Sequence, residues 1–208
     1  MGADNQQERP RESLSHYIVG FVNGEGTFHV AIQRRKDLPN GFQLIPEFHI
    51  SQHKWKSSIL EKIKDFFGCG YLKLNHPGST RDVTKVYIVR NRQDLLEKII
   101  PFFEKYPLIS EKRQDFLKFA QIVKSMGQGR HLSRKGLVDL TRSAFSMYSN
   151  GRYRKLKLKT VLSLMESSET VRQLPKGKDT VRAAWRHAEV SATKRGGSVK
   201  YFDGSRND

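Results

Sequence analysis

The chain has 208 residues, room for one domain or for one domain with an appendage, and 38 Lys+Arg against 21 Asp+Glu leave it a net charge of +17. That excess implies a polyanionic partner, with nucleic acid first among the candidates, although ribosomal proteins and basic tails share the property. The single cysteine, Cys69, excludes an intramolecular disulfide and a multi-cysteine zinc site, and no uncharged apolar run approaches the ~20 residues that a membrane helix needs.

Residues 1–12 mix acids, arginine and glutamine without an apolar core. They read as a flexible N-terminus rather than a secretory signal. Ser13 or Ser15 is placed to cap a first helix running through Asn23. Phe28, Val30 and Ile32 then alternate with His29, Ala31 and Gln33, the period of a half-buried strand. After a basic turn over 34–41 a second alternating run begins, with Phe42, Leu44, Pro46, Phe48 and Ile50 on one side. Pro46 predicts a bulge or an edge position, because proline cannot donate to a ladder. Residues 58–67 form an amphipathic helix closed by Gly68, and short strands follow at 71–75 and 83–89. Helices are predicted at 93–103, bent or ended by Pro101, and at 110–125. Further helices are predicted within 132–148 and around 156–165, and after Pro175 the apolar pattern fades into a tail expected to be flexible. The order is α+β, helix–strand–strand twice and then helices, with helices on one face of an antiparallel sheet. Domain boundaries fall at 13–148 for this unit and 149–208 for a basic C-terminal extension.

One stretch stands apart: Tyr17-Ile18-Val19-Gly20-Phe21-Val22-Asn23-Gly24-Glu25-Gly26. Gly20 and Gly24 leave a bare strip on a helix, which lets another backbone approach closely. Each glycine costs the helix roughly 1 kcal/mol relative to alanine. Glu25 reads in two ways, as an exposed loop acid or as a hard oxygen ligand for Mg²⁺. With the hairpin that follows it, the segment closely resembles the signature of the LAGLIDADG homing endonucleases, and the order of elements over 13–126 resembles their fold, α-β-β-α-β-β-α. Only one copy of the motif is present.

The resemblance implies a homodimer, packed through Tyr17, Gly20, Phe21 and Gly24, that cuts both strands of a long pseudo-palindromic DNA target for intron homing. It makes Glu25 the metal ligand and catalytic acid, with Mg²⁺ shared between subunits. Asn23 stands where many family members carry the first acid of the motif, so it is assigned capping or positioning. Gln52, Lys56 and Lys112 fall where the family has polar or basic catalytic residues; for each lysine a solvated helix surface is the alternative. The sheet's polar face is the expected major-groove reader. In the first hairpin this face comprises His29, Ala31, Gln33, Arg35, Gln43, Ile45, Glu47, His49 and Ser51. Tyr71, Lys73, Asn75, Lys85 and Tyr87 extend it in the second, and Arg34, Lys36 and Arg81 in the turns would hold phosphate. An ordinary solvated sheet face is the plain alternative. Rival functions are an RNA-binding intron maturase and a non-catalytic DNA-binding regulator on the same fold. No clustered His-Asn-His array, Gly-Ile-Tyr segment or protein-splicing block is present.

Overall fold

The structure is a computed structural model and describes residues 5–35, 37–38, 40–79, 83–148, 154 and 156–166. Helix α1 (Asn5–Glu25) runs into strand β1 (Gly26–Arg34), followed by β2 (Phe42–His53) and a 3-10 turn (Lys54–Lys56). Helix α2 (Ser58–Phe67) precedes strands β3 (Tyr71–Leu74) and β4 (Thr84–Val89). The helices α3 (Arg92–Asp94) and α4 (Ile100–Lys105) flank a π-helical turn (Leu95–Ile99). They are followed by α5 (Lys112–Gly127), a 3-10 turn (Arg130–Leu132), α6 (Arg134–Phe145) and α7 (Leu158–Glu166). The α+β order expected from the sequence is present, but α1 begins at Asn5 within the segment expected to be flexible, and Ser15 lies inside the helix, donating to the Arg11 carbonyl at 2.9 Å rather than capping it.

Four strands form one sheet in the order β1-β2-β4-β3. β4 runs antiparallel to both β2 and β3, pairing Phe48 with Val89, Ile50 with Tyr87, and Tyr71 with Ile88. Pro46 lies in β2 ahead of Phe48, where the pairs with β4 begin, so no donor is missing from that ladder. Pro101 does not end its helix: it sits in the first turn of α4, where the widened π turn before it relieves the missing N–H.

The chain divides into two compact units, residues 1–31 with 45–127 and residues 32–44 with 128–208. The first is built on an aromatic cluster. Phe28 lies 5.1–5.4 Å, centroid to centroid, from Phe48, Phe103, Phe116 and Phe119. All five are buried, which ties β1, β2, α4 and α5 to one point. Such contacts contribute ~0.5–1.5 kcal/mol each beyond area burial. Gly68 ends α2 in the left-handed conformation, φ 57°, as its position in the sequence predicts.

The second unit joins the tip of the first hairpin to the C-terminal helices. The Arg35 amide donates to the Gly41 carbonyl at 2.8 Å, and the Asn40 side-chain amide donates to the Leu132 carbonyl at 3.4 Å. Ser133 caps α6 by accepting from the Gly136 amide. Arg154 donates to the Ala144 carbonyl at 2.9 Å and lies 5.0 Å over the Phe145 ring, while Val161 and Met165 of α7 are buried. The tail after Pro175, expected to be flexible, and the basic residues Lys36, Arg81, Arg152 and Lys155 lie outside the described residues.

Candidate active site and sheet face

Helix α1 carries two stripes. Ser15, Ile18 and Val22, spaced three and four apart, are buried against the chain's own core. Tyr17, Gly20, Phe21 and Gly24 form the other stripe. Tyr17 and both glycines are exposed, Phe21 is half-buried, and the rings of Tyr17 and Phe21 stack at 6.0 Å. A Cβ built on Gly20 or Gly24 would meet nothing within 4 Å. Packing among the described residues therefore gives no reason for either glycine. Gly26 is the opposite case: a Cβ there would lie 2.5 Å from Val22 Cγ1 and 2.8 Å from the Val22 carbonyl. Only glycine allows the helix to turn this sharply into β1, and the turn leaves Glu25 exposed at the junction.

The last carbonyls of a helix lack partners and carry partial negative charge. Here Lys112 supplies the partner. Its Nζ donates to the carbonyls of Val22 at 2.8 Å, Asn23 at 2.9 Å and Gly24 at 3.2 Å. Burial lowers its pKa, and the neighbouring Glu25 carboxylate acts in the opposite direction. Asn23 fixes the lysine's position. Its side-chain nitrogen donates to the Val19 carbonyl at 3.0 Å, and its Oδ1 accepts from both the Ser110 amide at 3.2 Å and the Ser110 hydroxyl at 2.7 Å. This clamp holds the start of α5, two residues before Lys112, against the end of α1. A carboxylate, an ammonium and the helix terminus thus meet at one exposed point.

Gln52 and Lys56 are not tied to this point by any contact the structure records. Gln52 turns its side-chain oxygen to the His53 amide at 2.8 Å, and Lys56 is exposed in the 3-10 turn. Glu25 offers the hard oxygen that Mg²⁺ prefers. Among the described residues no three His, Cys, Asp or Glu side chains gather to hold a metal, and Glu25 is the acid that this junction exposes.

The sheet face turned away from the helices holds a different kind of polar group. Glu47 is 1% exposed. One of its carboxylate oxygens pairs with Arg90 Nε and the other lies 2.8 Å from His49 Nε2. Tyr71 and Lys73 lie close enough on β3 to feel both charges; burial raises the Tyr71 pKa and lowers that of Lys73, and Arg90 pushes both down.

Residues 18–123 match the LAGLIDADG endonuclease family. The chain belongs to that family. A structure of the archaeal intron-encoded homing endonuclease I-Vdi141I complexed with DNA matches with a TM-score of 0.68 and 33% identity, covering 76% of this chain and 98% of that one. Homing endonuclease I-ApeII of Aeropyrum pernix is 28% identical over 162 residues, 76% of this chain and 93% of the relative. An uncharacterized 50.9 kDa protein in ND4 intron 1 of Podospora anserina is 32% identical over 120 residues, but this chain spans only 25% of its length.

Within this LAGLIDADG unit the register corrects part of the expected reading face. Tyr87 pairs with Ile50 and is fully buried on the helix side, donating to the Cys69 carbonyl at 2.9 Å and stacking on Phe67. Lys85 points the same way and donates to Glu61 of α2 at 2.8 Å. Both sets of alternate positions in β4 are largely apolar, so alternation alone could not declare its outer side; pairing with β2 does. The outer positions are Val86, Ile88 and, by continuation of the register, Arg90 opposite Glu47. Arg90 was missed for that reason. Tyr71, Lys73 and His49 are outward, and the His29 ring lies 6.4 Å from that of His49. Glu47 and Ile45 are buried rather than presented, the first because Arg90 and His49 enclose its carboxylate. Ser51 and Ala31 are half-buried, and Asn75 is exposed beyond β3, its amide held by the Thr84 carbonyl at 2.8 Å. In the second unit Gln43 is also buried, accepting from Arg35 Nη1 at 3.2 Å. Arg35 binds Asp37 through two contacts of 2.8 and 2.6 Å, so its charge is compensated locally. Gln33 is half-buried and Arg34 is exposed.

Proposed function

We propose that this chain is a site-specific DNA endonuclease of the homing type, acting as a homodimer on a long, nearly palindromic duplex and making a staggered double-strand break with Mg²⁺. The carrying observation is the end of α1, where an exposed acid stands at the foot of a glycine strip on whose Cβ side no described residue lies within 4 Å. Two glycines in one helix are destabilising by roughly 1 kcal/mol each. A second copy of α1 packed along the strip would offset that cost, and isologous pairing would bring two Glu25 carboxylates together.

When bound, the metal supplies charge neutralisation on the phosphoryl group and an activated water. The chain's own residues supply the rest. Glu25 holds the metal. Lys112 offsets the negative end of α1, which would otherwise repel a phosphate brought to it. Asn23 and Ser110 keep Lys112 in place. Gln52 and Lys56 are proposed to line the same site from the end of β2 and the turn after it. The outer face of the sheet reads bases, and Arg34 anchors phosphate.

The test is incubation with DNA flanking the chain's own reading frame, with and without Mg²⁺, for the wild type and Glu25→Gln. Metal-dependent cutting that Glu25→Gln loses while still binding DNA supports the proposal. Splicing of an intron RNA without cutting of flanking DNA under any divalent metal would favour a maturase role instead.

A further inference from the structure

A buried charged group such as Glu47–Arg90–His49 is not what a fold usually relies on for stability. A buried ion pair seldom stabilises a fold more than apolar residues of similar volume, because desolvating the charges offsets their attraction. Its neighbours on the outer side of β4, Val86 and Ile88, are apolar and buried, so an apolar pair at 47 and 90 would suit the same surface. Instead an acid is placed on the side of the sheet proposed to meet a polyanion, where uncompensated it would weaken binding.

The geometry resolves that conflict. Each oxygen of Glu47 is engaged, one by Arg90 and one by His49, and its side chain is 2% exposed. The side chains of Arg90 and His49 keep more of their surface, 13% and 16%. The acid is therefore enclosed, and the two nitrogen-bearing groups beside it are more exposed than it is. A carboxylate bound to Nε sets the plane of a guanidinium, and a planar guanidinium is the group that matches O6 and N7 of guanine in the major groove.

Resting on the reading of the outer sheet face as the DNA-facing surface, we propose that Glu47 is a positioning residue that holds Arg90 and His49 side by side, and that Arg90 is a specificity-determining residue reading a G·C pair in each half-site. Glu47 itself contacts no base. The arrangement lowers the cost of recognition because the guanidinium is ordered before DNA arrives. Lys73, across β3 and kept less basic by burial and by Arg90, adds to the positive rim of the same group.

The experiment is selection from a pool of randomised duplexes by the full chain, in parallel for wild type, Glu47→Gln and Arg90→Lys, with thermal melting of each protein. Glu47→Gln keeps the shape and removes the charge; Arg90→Lys keeps the charge and removes the planar fork. Both variants are expected to lose preference at the same one or two adjacent base pairs of each half-site, by roughly 5- to 100-fold, with the other positions unchanged. Uniform weakening at every position in step with a lowered melting temperature would assign the group to stability and overturn the proposal. So would loss at unrelated positions in the two variants, or no change in either. A wild type that selects no sequence at all would sink the DNA-reading face itself, and this inference with it.

Discussion

The end of α1 and the outer side of the sheet both gather charged residues, but they differ in completeness. Around Glu47 both carboxylate oxygens are engaged by groups of the same chain, and the acid is enclosed. At Glu25 the helix terminus is satisfied by Lys112, yet the carboxylate is exposed and the adjoining glycine strip faces open space. A finished network orients groups already present; an unfinished one has room for what is brought to it. This contrast is the basis for placing recognition on the sheet and assembly and catalysis at the helix end.

The largest effect should come from the unfinished site. Glu25→Gln should reduce cleavage by about three orders of magnitude or more, the equivalent of ~4 kcal/mol of lost metal assistance, while specific binding persists. Cleavage kinetics beside gel-shift binding measure this directly, and near-normal cutting would erase the proposed difference between the two regions.

Gly20→Leu and Gly24→Leu should sharpen it. The isolated chain has space at both positions, so its folding stability should hold or rise by up to ~1 kcal/mol through better helix propensity. Assembly and cutting should nevertheless fail, because two helices could no longer approach. Denaturant unfolding together with sedimentation separates the outcomes; unchanged assembly would mean that the strip is not an interface.

Smaller effects are expected at the supports. Asn23→Ala removes the partner of two Ser110 donors and should cost about 1–2 kcal/mol in unfolding experiments, with slower cutting as Lys112 loses its seat. The smallest effect is expected from Arg34→Ala, which should weaken binding to all sequences alike and flatten the salt dependence by roughly 0.9 log unit per lost phosphate contact. A change confined to particular base pairs would move Arg34 into the reading group.

What could be read from the sequence follows the same division. The helix end is nearly contiguous: glycines four apart, an acid and a switch from helical to alternating period announce it within ten residues. Its distant member, Lys112, was legible through the resemblance, although its three backbone acceptors were not. The sheet group is built from separate strands, so it depends on register. Thr84–Val89 is largely apolar on both sides, and one step of misassigned parity turns Tyr87 and Lys85 outward and hides Arg90. Burial of Glu47 could not be foreseen without the residue opposite it. The hairpin tip grouped with α6 and α7 carries no local pattern that announces the grouping, because its contacts, such as Asn40 to Leu132, span most of the chain.

The central claim is that one chain holds half of an active site. Native mass measurement of the protein on its cleavable duplex, with Ca²⁺ in place of Mg²⁺ to hold the complex intact, tests it most directly. Two chains per duplex are predicted, falling to none or one for Gly24→Leu. One wild-type chain per duplex, with Mg²⁺-dependent double-strand cutting at full rate, would contradict it.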